Sequence, residues 1–536
     1  MNSQMLRSIF TKGENETLFQ IVYFWCICIM VISLPNSIYF VSVAQILMAI
    51  NWLSEGQFRE KMNRYFSNRP ALILSSVYLI YVAGIFWTSN LSYGIGYDLK
   101  NKLPLLTLTF VFASSRPLPL CRLNALLVMF VLGVLATTFI GFGVYLGSEF
   151  VNPRKLSPFI SHIYVSMMLV LSIFLLPWTV MRMNLNRKWV WISLGISAWL
   201  LISLFTLGSM TSIFSLAAVI AFLLLRQAYI APLAWQNVFF GSILFFGLAA
   251  SVALAWYVAK PVASAINPDE ASLSETTSLG NHYSHDFSNN QRENGHFVNF
   301  FIAENELREA WNERSKLNFD SLDFVGQELR VTLLRYLSSK GLRKDRDGLS
   351  TLDSNDIAAI ENGVANYLYV QWPNVMVRLH QTFWEINEYA RTGNPTGHSF
   401  SQRLELWRAS LVAFIKYPVF GWGTGDVFEA IEHGLQQINS PLENYKMKPH
   451  SQPLIILLML GATGLILFFG LIFVFVKISK AYRFLPFNIM LVIVCVAMFG
   501  NNLIDFQIGL TFFLFFSLFF GIFSRNHNFH DKASDS

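Results

Sequence analysis

The sequence predicts an all-α polytopic membrane protein, and its composition and its apolar segments lead to that prediction. Of the 536 residues, 54% are hydrophobic and only 13% are charged, whereas a soluble protein contains about 25% charged residues. The apolar residues lie in long runs, and a helix that crosses the hydrocarbon core of a membrane needs about 20 of them. Phenylalanine is frequent, with 49 residues, which suits lipid-facing surfaces and interfacial aromatic belts.

The length of these apolar runs predicts about twelve transmembrane helices. The fourth and eighth are short. The first follows a polar stretch without a small-residue cleavage site, so we interpret it as a retained span and not as a signal peptide. The predicted spans are Leu18–Leu34, Ile38–Leu53, Pro70–Trp87, Leu103–Ser115, Leu123–Leu146, Ile160–Met181, Trp189–Leu207, Thr211–Leu225, Val238–Val258, Leu454–Val476, Phe487–Leu503 and Ile508–Phe523.

Lysine and arginine concentrate in alternate short loops, which predicts the orientation because such loops remain cytoplasmic. With the N-terminus inside, nine spans precede one long polar segment, which then lies outside. The predicted domains are residues 1–258 with nine spans, a mostly helical outer loop at 259–452, and residues 453–536 with three spans and a short cytoplasmic tail.

Charge and cysteine content exclude other classes of protein. The formal net charge of +6 does not indicate nucleic-acid binding, because the basic residues lie largely in short loops where topology explains them. The four cysteines, Cys26, Cys28, Cys121 and Cys495, fall in or beside apolar segments, and the long polar loop contains none. This distribution argues against a disulfide framework and against a cysteine-based metal site.

A helix predicted from about Gln402 to Lys416 carries the first candidate site residues. Arg403 and Arg408 flank an apolar stripe at helical spacing, which we expect to dock on other helices. A guanidinium at its edge can bind a phosphate through two parallel hydrogen bonds; the alternative is a surface arginine that reaches the lipid headgroups. Glu405 faces away from the stripe, so we expect it to be exposed. The stripe consists of Leu404, Trp407, Leu411, Phe414 and Ile415.

A glycine-rich turn follows this helix, with Gly421, Gly423 and Gly425 directly before Asp426. Glycines allow positive φ, so the turn can present N–H groups to an anion. The alternative, which the absence of a following Lys-Ser/Thr pair favours, is a connector between two helices that Asp426 caps.

His450 lies three residues before the apolar segment that begins at Pro453, so its ring lies at headgroup depth. A neutral imidazole can accept a proton near pH 7, and its cation can bind phosphate; the alternative is a hydrogen-bonded interfacial histidine. Lys448 is a candidate ligand for phosphate or a membrane-surface charge. Asp505, in a short outer loop, is predicted to be solvated, and His162 is a weaker candidate near a span end.

The pattern of these residues resembles the O-antigen ligase family, with which O-antigen polymerases share an architecture. The motif is Arg403-x3-Trp407, Pro418-x2-Gly421-x-Gly423-x-Gly425, His450, and Gly461-x2-Gly464 in the next span. The resemblance implies a GT-C-like fold, a multi-pass protein of the bacterial inner membrane, and a large loop in the periplasm. It also implies an inverting, metal-independent glycosyltransferase without a cofactor.

The implied partners are a glycan donor linked to undecaprenyl pyrophosphate, an acceptor that is lipid A-core or another glycan, and membrane lipid. By position, Arg403 would neutralise the pyrophosphate, and His450 would assist the acceptor or steady the leaving group. Trp407, Arg408, Gly421, Gly423 and Lys448 are the other predicted substrate-binding residues.

Two departures from the family pattern concern the charges of the donor site. Ser451 stands where the family often has asparagine, and Gly208–Ser212 has no arginine where the family often has Ser-Arg. Arg154, Lys155 and Arg408 are the candidates that could supply the missing charge.

Two other classes of protein remain as alternatives. About twelve spans are common in transporters and flippases, but those usually carry intramembrane charges and internal repeats, and we find no repeat here. A membrane scaffold that acts through its loop is the third hypothesis.

Overall fold

The protein is described by a computed structural model, which covers residues 16–147, 156–267, 273 and 275–523. The fold of the described residues is mostly helical, as predicted. The first part of the chain contains helices α1 (Leu18–Ser33), α2 (Ile38–Ser54), α3 (Phe58–Ser67), α4 (Arg69–Ala83), α5 (Leu91–Tyr93), α6 (Lys100–Lys102), α7 (Pro104–Ser114), α8 (Leu120–Leu146), α9 (His162–Arg182), α10 (Arg187–Leu207), α11 (Met210–Ile230) and α12 (Ala234–Ala263). A 3-10 turn at Gly84–Trp87 extends α4, and a π-helical segment, Gly94–Leu99, joins α5 to α6.

The second part of the chain begins with a two-stranded antiparallel ladder, β1 (Arg292–Glu293) and β2 (His296–Phe297). The helices that follow are α13 (Glu304–Arg314), α14 (Leu329–Ser339), α15 (Arg346–Ser350), α16 (Ser354–Glu361), α17 (Leu368–Gln371), α18 (Asn374–Thr392), α19 (Ser399–Lys416), α20 (Val427–Gln437), α21 (Gln452–Ser479), α22 (Leu485–Gly500) and α23 (Gln507–Leu518). A 3-10 turn, Ala481–Arg483, precedes α22, and a π-helical turn, Phe519–Phe523, follows α23.

Seven helices among the described residues are long and apolar enough to cross a membrane, or eight if the bent pair α2 and α3 forms one span. Three shorter apolar helices, α1, α22 and α23 with its π-helical turn, coincide with further predicted spans. The structure therefore contains about seven candidate membrane-spanning helices, while the count of twelve remains a prediction. The described residues divide into two compact units: the first contains residues 16–147, 156–226 and 402–523, and the second contains the described residues from 227 to 401.

The first unit is built around two helices of the C-terminal region. Every residue from Ile508 to Phe523 is buried, and a helix that is apolar on all sides belongs in a core. Helix α21 packs along α4 and carries a break at Gly461, whose φ of 66° is left-handed. The glycine-rich turn that precedes Asp426 packs against this break. The core around α21 therefore fixes the position of the candidate site.

The second unit contains α12 and the helices from α13 to α18. Its core surrounds Trp311, Phe319 and Leu333, which are fully buried. The buried carboxylate of Glu293 on β1 pairs with Arg335 of α14 at 2.6 Å and accepts a hydrogen bond from Asn366. The boundaries of the two units differ from the predicted domains, because residues 402–452 group with the apolar helices. The functional division of the chain stays a prediction.

Candidate functional site

Helix α19 carries Arg403 and Trp407 one turn apart, which puts both side chains on the same face. The indole Nε1 of Trp407 donates a hydrogen bond of 2.8 Å to the carbonyl oxygen of Pro449. Because Pro449 directly precedes His450, this bond ties the helix to the segment that bears the imidazole.

Arg403 and His450 lie close enough for the charge of the guanidinium to act on the imidazole, and their predicted catalytic roles stay predictions. Burial lowers the pKa of His450 below its ordinary value, and the guanidinium of Arg403 lowers it further. Arg403 also borders the end of α22, since a Cβ atom on Gly500 would lie 4.0 Å from its Nη1. At neutral pH the site therefore combines a fixed cation with a neutral imidazole that can accept a proton.

The backbone around His450 turns sharply into helix α21. His450 has a φ of 48°, and Ser451 is the N-cap residue of the helix. The N–H of Gln452 donates to the carbonyl oxygen of Asn501 at 3.2 Å. The side-chain oxygen of Gln452 accepts from the N–H of Ile504 at 2.8 Å. These two bonds hold the turn after α22 against the start of α21.

Lys448 belongs to a largely buried group of four charges. Its Nζ lies 3.3 Å from Asp505 and 3.6 Å from Asp98. Lys102 completes the group, at 2.8 Å from Asp505 and 3.4 Å from Asp98. Asp505 is only 3% exposed. The prediction that Asp505 is solvated is therefore wrong, because two lysines compensate its burial.

The electrostatics of this group keep Asp505 and Lys448 charged. Burial opposes the charge of Asp505, but Lys102 and Lys448 lower the pKa of its carboxyl to about 2. Burial likewise opposes the charge of Lys448, yet Asp505 and Asp98 raise the pKa of its amine. The rings of Tyr93 and Tyr97 also lie within 5.7 Å and 5.2 Å of its Nζ. Sequence reasoning missed this group, although Lys102 and Asp505 directly flank apolar segments.

The glycine turn binds other parts of the chain through its N–H groups. The N–H of Gly421 donates to Tyr417, and the N–H of Gly423 donates to Met459 at 2.9 Å. A Cβ atom on Gly461 would collide with the carbonyl oxygen of Val419, so the break in α21 and the turn fit closely. The predicted roles of Gly421 and Gly423 in substrate binding stay predictions, but these N–H groups have protein acceptors.

Asp426 is the N-cap residue of α20, but its side chain makes no capping bond to that helix. Its carboxylate instead accepts hydrogen bonds from the backbone N–H groups of Ser89 and Asn90, at 2.7 and 2.8 Å. The predicted side-chain cap on the following helix is therefore absent, and the carboxylate joins the turn to the end of α4.

The buried face of α19 differs from the predicted apolar stripe. Leu406, Ala409 and Ala413 are fully buried, whereas Leu411 is 52% and Ile415 is 73% exposed. Glu405, predicted to be exposed, is buried. Small residues explain the difference: Ala409 lies so close to Gly434 of α20 that a larger residue at 434 would collide with the carbonyl of Ala409.

The remaining predicted residues lie apart from this pair or outside the described chain. Arg408 is exposed and, within the described residues, makes no hydrogen bond or ion pair. His162 is the first residue of α9. Gly208 caps α10 with a φ of 61°. Arg154 and Lys155 lie outside the described residues. Among those residues, no three His, Cys, Asp or Glu side chains are grouped as metal ligands would be.

The fold and the site define a class: a helical protein with several helices that could span a membrane, and a histidine directly before one of them that is influenced by the charge of an arginine. Residues 363–469 match the family model described as O-antigen ligase. The matched region contains both Arg403 and His450, and the match confirms the resemblance inferred from the motif. The chain matches none of the curated proteins with which it was compared.

Proposed function

We propose that the protein is a membrane glycosyltransferase that moves a glycan from undecaprenyl pyrophosphate to an acceptor sugar at the periplasmic face, as an O-antigen or surface-polysaccharide ligase. The observation that carries the proposal is the neighbourhood of Arg403 and His450 inside the region that matches the O-antigen ligase family. A pyrophosphate leaving group requires cations, and an acceptor hydroxyl requires a base and close positioning.

In the proposed reaction the acceptor hydroxyl attacks the anomeric carbon of the donor from the face opposite the pyrophosphate. A new bond forms between the acceptor oxygen and the anomeric carbon while the bond from that carbon to the phosphate oxygen breaks. The hydroxyl proton passes to the neutral imidazole of His450, and the bonding electrons leave with the pyrophosphate. Arg403 stabilises the negative charge that develops on this leaving group. Attack from the opposite face inverts the anomeric configuration.

An aromatic cavity on the first unit supports a donor with a lipid chain. It has a volume of about 550 Å³ and is lined by Trp87, Ser89, Tyr417, Phe420, Gly421 and Trp422. Phe420 is 59% exposed, and an exposed apolar side chain beside a cavity suits contact with hydrocarbon. In the proposal, this cavity takes part of the polyprenyl chain.

Analysis of surface and lipid-linked glycans on gels tests the proposal in a deletion strain that carries variants of this chain. We expect Arg403→Ala and His450→Ala each to abolish transfer while the protein remains in the membrane. Arg187→Ala and His282→Ala are matched controls, because both residues are exposed and have no role in the proposed site. Normal surface glycan with both site variants would reject the enzyme hypothesis.

The same gels separate the two reactions that share this architecture. Loss of a ligase leaves lipid-linked polymer in the membrane, whereas loss of a polymerase leaves single repeat units on the core. Movement of lipid-linked sugar across reconstituted vesicles without an acceptor would favour a flippase. Unchanged glycan with loss of bound partner proteins would favour a scaffold.

A further inference from the structure

Two buried side-chain amides lie where the end of α22 meets the start of α21, two residues after His450. Gln452 is fully buried and Asn501 is 5% exposed. The amide nitrogens Nε2 of Gln452 and Nδ2 of Asn501 are both buried and have no hydrogen-bond acceptor among the described residues. An amide that is buried without a partner costs about 1–3 kcal/mol, so two such donors at one place call for an explanation.

The orientation of the Gln452 amide is fixed by its other end. Its oxygen accepts the N–H of Ile504 at 2.8 Å, so the unpartnered atom is the nitrogen, a donor of two hydrogen bonds. Asn501 is linked to the same place, because its carbonyl oxygen accepts the N–H of Gln452. Asn501 thus lies in the turn that follows Gly500, the residue that borders Arg403, and Gln452 is hydrogen-bonded to that turn.

Three features at this position favour the same kind of ligand. The unpartnered nitrogens of both amides are N–H donors, Arg403 supplies a positive charge, and the first turn of α21 presents the positive end of the helical segment that runs to the break at Gly461. Helix N-termini and guanidinium groups both bind oxyanions. A negatively charged acceptor oxygen is the kind of ligand that each of these groups binds.

We infer that Gln452 and Asn501 are further substrate-binding residues, whose amide N–H groups donate to phosphate oxygens of the donor's pyrophosphate. This inference rests on the proposed function, since the pyrophosphate is the anion that Arg403 would bind there. Neutral donors suit the position, because they add hydrogen bonds to the leaving group without a further charge that would lower the pKa of His450.

The experiment measures the dissociation constant of farnesyl pyrophosphate for the full chain in detergent. Gln452→Glu retains the size of the side chain and an oxygen for Ile504 but replaces the donor with an anion. We expect it to weaken binding at least about tenfold, as loss of a hydrogen bond to a charged group does. Asn501→Leu, which removes the second donor at similar volume, should also weaken binding.

Two controls match these variants. Gln45→Glu changes another partly buried glutamine of an apolar helix, one whose amide already donates to Thr511 at 3.0 Å. Asn124→Leu changes another asparagine that is 5% exposed, on α8. Neither should alter the affinity, and a thermal melt of each variant verifies that it is folded.

The outcomes separate this inference from the proposed function. If Arg403→Ala weakens binding but Gln452→Glu and Asn501→Leu bind like the unaltered chain, the inference is overturned and the proposed function stands. If the unaltered chain does not bind the pyrophosphate probe and Arg403→Ala leaves surface glycan normal, the proposed function itself fails. If only one of the two amide variants folds, its affinity alone decides the inference.

Discussion

At the scale of single residues, the state of His450 makes a prediction about pH. Burial and the charge of Arg403 both lower its pKa below the ordinary value, so the imidazole is neutral at pH 7 and becomes protonated only as the pH falls through that lowered pKa. A base is inactive when protonated. We therefore expect the rate of glycan transfer to be constant around pH 7 and to decline in acid, with a midpoint below about 6.5.

The measurement is a pH–rate profile of purified protein with lipid-linked donor. The direction of the pH dependence distinguishes two roles of His450. If the histidine acted as a phosphate-binding cation, the rate of transfer would fall as the pH rises through its pKa. A profile that falls between pH 7 and pH 8, with the protein still folded, would contradict the role of His450 as a base.

Lys448 yields a second prediction at the same scale. Lys448→Met removes one of two cations from Asp98 and Asp505, and breaking a buried ion pair costs about 3–5 kcal/mol because it leaves an uncompensated charge. We expect a clear loss of thermal stability in detergent. Lys446→Met, at an exposed position, is the matched control and should melt normally.

A double variant distinguishes charge from packing. Lys448→Met combined with Asp98→Asn removes one charge of each sign and should recover part of the lost stability. If the loss of stability in the double variant equals the sum of the losses in the two single variants, the ion pairs are not what stabilises this group.

At the scale of elements, the break in α21 and the glycine turn pack closely against each other, so each depends on the conformation of the other. Gly461 is left-handed and its missing side chain makes room for the carbonyl oxygen of Val419. Gly461→Ala adds a steric collision to the cost of a backbone conformation that only glycine adopts readily, with φ 66° and ψ −168°, a cost of about 1–3 kcal/mol. We expect a lower melting temperature and less protein in the membrane. Gly470→Ala is the matched control, because a Cβ there meets nothing within 4 Å; equal effects of the two changes would contradict this account.

The elements also show how far the sequence predicts the fold. Apolar runs predicted the helices well, because length and hydropathy are local properties. The prediction of the buried face of α19 was wrong, because in a membrane protein apolar side chains such as Leu411 and Ile415 can face lipid as favourably as they face a core. Small residues let helices approach closely, so Ala409 and Ala413 are the better signal of the buried face.

The candidate site was predictable in part. Arg403, Trp407 and His450 lie within one stretch of about fifty residues, and a family motif links them. The partners of Lys448 were not predictable, because Lys102 and Asp505 lie far away in sequence and only the packed helices bring them together. The amides of Gln452 and Asn501 could not be predicted from the sequence. What distinguishes them is that their N–H groups are buried without an acceptor, and only the folded structure shows this.

At the scale of the whole molecule, the orientation in the membrane is the property on which the proposed function depends. The distribution of lysine and arginine predicts nine spans before the long polar segment, which then lies on the outer side. The number of spans matters only through its parity, because one span more or fewer would move Arg403 and His450 into the cytoplasm, away from a periplasmic acceptor.

Single cysteines in a cysteine-free variant test this topology with a membrane-impermeant maleimide. Asp286→Cys, exposed in the polar segment, should react in cells whose outer membrane has been permeabilised. Asn186→Cys, exposed in a loop predicted to be cytoplasmic, should react only after lysis and is the matched control. If position 286 reacts only after lysis, no periplasmic transfer is possible at this site. If both positions react before lysis, position 286 lies outside the membrane but the number of spans between positions 186 and 286 is wrong. Arg403 and His450 would then still lie on the periplasmic side.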